Sequence, residues 1–191
     1  CNKVRCLTTR DRRRGLAPRL GNAGRSGVDG PYRRRDHMPP AKLNELFRAA
    51  VAHHDARRFA EAEKLYAQVC VAAPRSFDAW HLFGWLALQQ GRPAEAAARL
   101  ERAGVLNPKS ALCALRLAHA LKKTGRLPQA RAAADRAAQL EPTSADAHFC
   151  AGDLAAATEG FAAAVPHFRR VTELQPAAAD GWANLGVALA Q

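Results

Sequence analysis

The stretch LNPKS, residues 106–110, returns in altered form as AAPRS at 72–76, LEPTS at 140–144 and LQPAA at 174–178. The central prolines, Pro74, Pro108, Pro142 and Pro176, lie 34 residues apart. Proline lacks a backbone N–H and disfavours helix in the residue before it, so each one marks a helix stop. Stops on a constant period imply structural units of constant length. With proline at position 32, the units are 43–76, 77–110, 111–144 and 145–178, followed by a partial unit at 179–191.

The interior of each unit reads as two helices. Apolar residues recur at helical spacing, as in Trp80, Phe83, Gly84 and Ala87, or Leu127, Ala130 and Ala134. A breaker divides each pair: Gly91, Gly125 and Gly160, with Arg57-Arg58 in the first unit. Glycine suits the left-handed residue just past a helix end. Ser76, Ser110 and Ser144 stand where a serine caps the next helix. Position 20 is always alanine (Ala62, Ala96, Ala130, Ala164), and position 8 is Ala50, Gly84, Ala118, Gly152 and Gly186. Small residues at these phases predict close helix approach, with bulkier neighbours such as Tyr66, Leu100 and Phe168 as knobs. Pro166 falls inside a second helix, where a kink is expected.

The pattern W-x-x-[LF]-G at Trp80, Phe83 and Gly84, and again at Trp182, Leu185 and Gly186, is followed by a glycine, A-x-x-x-[FYL]-x-x-A and the proline. This resembles the tetratricopeptide repeat over residues 43–191. The resemblance implies an all-α solenoid: antiparallel helix pairs stacked into a right-handed superhelix of about four and a half repeats. It also implies that the first helix of each unit lines a concave face that binds a protein or peptide. Departures from the pattern are Leu46 and Ala114 at the tryptophan position, Arg57 at the glycine position and Ala134 at a bulky position.

Charge is distributed unevenly. The formal net charge is +12, yet residues 1–37 hold 11 of the 29 basic residues against 3 acidic ones. The domain division is therefore a basic Arg/Gly/Pro-rich tail, 1–40, and a repeat array, 41–191. The tail has one tyrosine and no other aromatic residue, a composition that predicts disorder. Its runs Arg12–Arg14 and Arg33–Arg35 suit only non-specific contact with polyanions such as nucleic acid. The one methionine, Met38, directly precedes the helical pattern and is read as the natural start. The last unit breaks off after one helix, so the expectation is a fragment of a longer protein.

No apolar run is long enough to span a membrane, and the cysteines lack C-x-x-C spacing. A cytoplasmic location is the default. Cys70, Cys113 and Cys150 sit among apolar helix residues and read as buried thiols. The seven histidines lack the spacing of a zinc site, and no nucleophile or phosphate-loop motif occurs. No cofactor, metal or catalytic residue is expected, and the segment is read as non-enzymatic.

The resemblance places positions 2, 5, 6, 9, 12 and 13 of each first helix on the concave face. The candidate partner-binding residues there are Phe47, His81, Trp85, Arg116, His119, Lys122, Phe149 and Asp153. Trp85 stands out: it either clamps a peptide or packs sideways on the adjacent first helix. Arg116, His119, Lys122 and Lys123 form a basic strip at helical spacing, which is either an ordinary solvated face or a site for an acidic peptide or a terminal carboxylate. The family's chaperone-type carboxylate clamp is not matched, because Phe47 and Val51 occupy its places. Its asparagine ladder is not matched either, since only Asn184 fits. The expected function is a protein- or peptide-binding scaffold. The alternative is the substrate-docking arm of a larger glycosyltransferase or sulfotransferase.

Overall fold

The computed structural model describes residues 38–191. The expectations for the basic tail, Cys1 and Cys6 fall outside the described residues. Described residues form nine helices and no strand: α1 (Pro40–Asp55), α2 (Phe59–Ala72), α3 (Phe77–Gln89), α4 (Pro93–Leu106), α5 (Ala111–Lys123), α6 (Leu127–Leu140), α7 (Ala145–Thr158), α8 (Phe161–Leu174) and α9 (Ala179–Ala190). Each packs on the next in chain order, and the first helices α3, α5 and α7 also touch in succession. The result is the stacked α-solenoid that the period implies.

Local chemistry sets the helix ends. Ser76, Ser110 and Ser144 each accept a hydrogen bond from the backbone N–H three residues on, at 3.4, 3.2 and 3.3 Å. Each thereby satisfies one of the amide groups that a helix start leaves unpaired. Between the two helices of a unit the chain turns through a left-handed residue: Arg57 (φ 57°), Gly91 (71°), Gly125 (76°) and Gly160 (99°). Three units use glycine there, whereas the first holds an arginine in a conformation that crowds a side chain. Pro166 lies exposed inside α8, and the helix continues past it to Leu174.

Small residues let the helices close on one another. A Cβ on Gly84 would lie 2.6 Å from Leu100 Cγ, and one on Gly152 would lie 2.7 Å from the Phe168 ring. The invariant alanines Ala62, Ala96, Ala130 and Ala164 are all fully buried. Tyr66, Leu100 and Leu154 are fully buried as well, and the buried clusters run across units, one from α1 to α3 and another from α3 to α7. Cys70, Cys113 and Cys150 are buried free thiols, as expected. Burial pushes their pKa up to about 12, 11 and 11, which leaves them unreactive at neutral pH.

Position 4 of the unit has a polar task besides packing. The Trp80 indole N–H donates to the Pro74 carbonyl at 3.1 Å, and that of Trp182 donates to Pro176 at 2.9 Å. In the fourth unit His148 Nε2 lies 3.3 Å from the Pro142 carbonyl. A side chain at position 4 thus ties the second, fourth and fifth units to the proline turn that ends the unit before.

Candidate functional site

Three polar contacts join the first helices of successive units. From α1, His54 Nε2 lies 2.7 Å from Gln89 Oε1 on α3. From α3, His81 Nε2 lies 3.0 Å from Arg116 Nη1 on α5. From α5, Lys122 Nζ donates to Asp153 Oδ2 on α7 at 3.1 Å. The first two pairs are each 35 residues apart, one repeat plus one. That spacing is the register in which neighbouring first helices meet.

Val51, Leu82, Trp85 and Arg116 line a cleft of about 580 Å3 together with the polar side chains of His54, Asp55, Arg57 and Gln89. Trp85 is half-buried, and the Arg116 guanidinium sits 4.3 Å from its ring centroid. Trp85 packs against Arg116 of the adjacent first helix, as the sideways reading expects, and it also lines the cleft. Arg116 is half-buried and has no carboxylate partner among the described residues. Burial draws its pKa below the usual arginine value, yet a guanidinium stays charged at neutral pH.

The neighbour of Arg116 is not a counter-ion. His81 is only 7% exposed and stacks on Phe77, with ring centroids 5.2 Å apart. Burial, followed by the Arg116 charge, lowers its pKa to about 4. At neutral pH the ring is uncharged, so its Nε2 lone pair accepts a hydrogen bond from Arg116. His81 therefore lies beneath the cleft surface and orients Arg116.

The other candidates divide. Phe47 packs edge-on to Tyr66 at 6.3 Å, and Phe149 packs edge-on to Phe168 at 6.0 Å. Both rings are half-buried in the packing of their own helix pairs. His119 is exposed on its open side. The protein around it, and then Lys122 and Lys123, hold its imidazole below the ordinary pKa. Lys122 is half spent on Asp153, while Lys123 is exposed. Of the eight candidates, Trp85 and Arg116 line the cleft, His81 lies beneath it, His119, Lys122 and Asp153 stand on α5 and α7, and Phe47 on α1 and Phe149 on α7 pack within their own helix pairs. Sequence reasoning missed the His54–Gln89 tie and the part played by Tyr66. The signal for the tie was there, in complementary polar residues 35 positions apart.

The helix pairs, the glycine turns and the small-residue seams define a helical-repeat protein of the α-solenoid class. Tetratricopeptide repeat models match residues 87–157 in one case and 47–111 with 151–191 in another. The chain belongs to the tetratricopeptide repeat family. No curated protein matches it. Among solved structures it is similar to MamA (20% identity, TM-score 0.74, covering 78% of this chain and 81% of that one). It is also similar to YrrB, described as a tetratricopeptide repeat protein with an unusual peptide-binding site (22%, 0.71, 76% and 75%). A third similarity is to a Naa15/Naa10 complex bound to HypK-THB (21%, 0.60, 78% of this chain and 22% of that one). At these identities the likeness concerns the fold. Among the described residues no helix is long and apolar enough to cross a membrane.

Proposed function

We propose that this chain is a non-catalytic scaffold that binds a protein segment along its first helices, at the cleft walled by Trp85 and Arg116. The observation that carries the reading is the state of Arg116. Its guanidinium is half-buried, held by a neutral histidine and an indole face, and no described carboxylate neutralises it. Burying a cation without a counter-ion costs free energy, and a bound carboxylate recovers it. The apolar surface of Val51, Leu82 and Trp85 beside it suits an apolar side chain next to that carboxylate. The ligand is therefore a short extended or helical segment with an acidic residue, or a free C-terminus, adjacent to an apolar one. The peptide-binding site described for YrrB, and the bound partner described for Naa15, agree with a binding role for such arrays.

The test is selection from a displayed library of eight-residue peptides with free C-termini. Wild-type protein is expected to enrich acidic–apolar pairs, and Trp85→Ala or Arg116→Gln protein to lose the enrichment. Equal enrichment on all three proteins would refute the assignment.

A further inference from the structure

The third unit lacks the side chain that its neighbours use to seal the seam between units. Position 4 is Trp80 in the second unit, His148 in the fourth and Trp182 in the fifth, and each ring nitrogen reaches the carbonyl of the preceding turn proline. In the third unit the residue is Ala114. A slot of about 560 Å3 opens there, walled by Val105 of α4, Ala114 and Leu117 of α5, Ala132 and Arg136 of α6, and Pro108 of the turn.

The slot keeps the fittings of the occupied sites. At the second unit the Arg102 guanidinium stands 5.2 Å from the Trp80 ring centroid. Arg136 is the same repeat position one unit on and donates to the Pro108 carbonyl at 2.8 Å, as Arg170 does to the Pro142 carbonyl beside His148. The carbonyl, the arginine and the apolar walls of an indole site are therefore all present without an indole. The slot also lies on another side of α5 from the Trp85–Arg116 cleft, because positions 114 and 116 are about 200° apart around a helix.

We propose that this slot is a docking site for a tryptophan side chain of a partner segment. The indole face stacks under Arg136, and the indole N–H donates to the Pro108 carbonyl, as Trp80 does to Pro74. The chain's own repeat supplies the template for the occupant. The site is independent of the proposed cleft, since none of its wall residues borders that cleft.

The probe is N-acetyl-L-tryptophanamide, titrated into the full chain and followed by heteronuclear NMR and melting temperature. The expected result is saturable shifts centred on Ala114, Leu117 and Arg136, with a melting temperature that rises with probe concentration. The 1-methylindole analogue, which lacks the donor, binds several-fold more weakly. Ala114→Trp fills the slot from within, abolishes probe binding and itself raises the melting temperature by about 2–4 °C. Ala132→Leu blocks the slot from the opposite wall and keeps the test open if Ala114→Trp folds poorly. Arg116→Gln leaves probe binding unchanged, which separates this site from the cleft. An absence of saturable binding, shifts centred elsewhere, or binding that survives both slot-filling variants would overturn the proposal. Equal binding of an N-acetyl-phenylalaninamide control would show a generic apolar hole and would also overturn it.

Discussion

The Arg116 guanidinium rests 4.3 Å from the Trp85 ring centroid while its Nη1 bonds the His81 ring at 3.0 Å. The three side chains come from α3 and α5, so one interaction joins two repeats and shapes the cleft between them. It also leaves a positive charge in a cleft that Val51, Leu82 and Trp85 share with polar side chains, and each prediction about binding depends on that charge.

Trp80 and Trp85 are five residues apart and have different duties. Trp80 packs between the first two units and bonds the Pro74 carbonyl. Its replacement by alanine is expected to cost about 3 kcal/mol. Trp85→Ala removes a half-buried ring and one cation–π contact, costing about 1–2 kcal/mol. Chemical denaturation of the two variants measures the difference, and equal losses would place Trp85 in the core rather than in a binding wall.

Glycine at position 8 has opposite consequences along the array. Gly84→Ala drives a methyl group into Leu100, which is fully buried and cannot swing aside, so a loss of about 1–3 kcal/mol is expected. Gly186 has nothing within 4 Å of its would-be Cβ. There alanine only improves helix propensity, and a gain of about 0.5–1 kcal/mol is expected. Thermal melts of the two variants should shift in opposite directions.

The turn in the first unit is strained where the others are not. Arg57 adopts φ 57°, the region that the other units give to glycine. Arg57→Gly relieves about 1 kcal/mol of strain, partly offset by the greater freedom of glycine in the unfolded chain. Gly125→Ala moves in the reverse direction and costs about 1 kcal/mol. A stability gain at Gly125→Ala would show that the turn tolerates side chains after all.

Acid should loosen the array before it reaches the usual carboxylate range. The folded-state pKa of His81 is lowered to about 4 from an ordinary value of 6.5. The unfolded chain therefore binds a proton between those values that the folded chain refuses. Stability is full above pH 6.5 and falls as pH drops through the window toward 4, by roughly 3 kcal/mol for this residue. His119, His148 and His167 are shifted in the same direction, which reinforces the trend. Urea titrations at pH 7 and pH 5 should show the loss, and His81→Gln should flatten it. A pH-independent midpoint would contradict the buried neutral state of His81.

The fold was legible because the same stops, caps and small residues recur in phase. Pro108 and Ser110, Gly84 and Leu100 can each be read from one unit and checked against the next. The site was harder to read, for a physical reason. His81 and Arg116 look alike in sequence as polar groove residues, yet one is buried and neutral beneath the other. Which of two polar side chains lies underneath depends on the rotation and register of neighbouring helices, which a single helical pattern does not encode. Phe47 and Phe149 show the same limit. Their position suggested the groove, whereas the nearby Tyr66 and Phe168 rings draw them into pair packing. The position-4 bond to the proline carbonyl escaped the sequence reading because a tryptophan in a helix pattern registers as apolar bulk and its single N–H goes unnoticed.

The most direct test is calorimetric titration of a library-selected peptide into wild-type protein and into Arg116→Gln. A charge-assisted hydrogen bond in a partly desolvated cleft contributes about 1.5–3 kcal/mol. The account predicts an affinity loss of about tenfold or more, with the melting temperature altered by only a few degrees. Unchanged affinity in Arg116→Gln would contradict it.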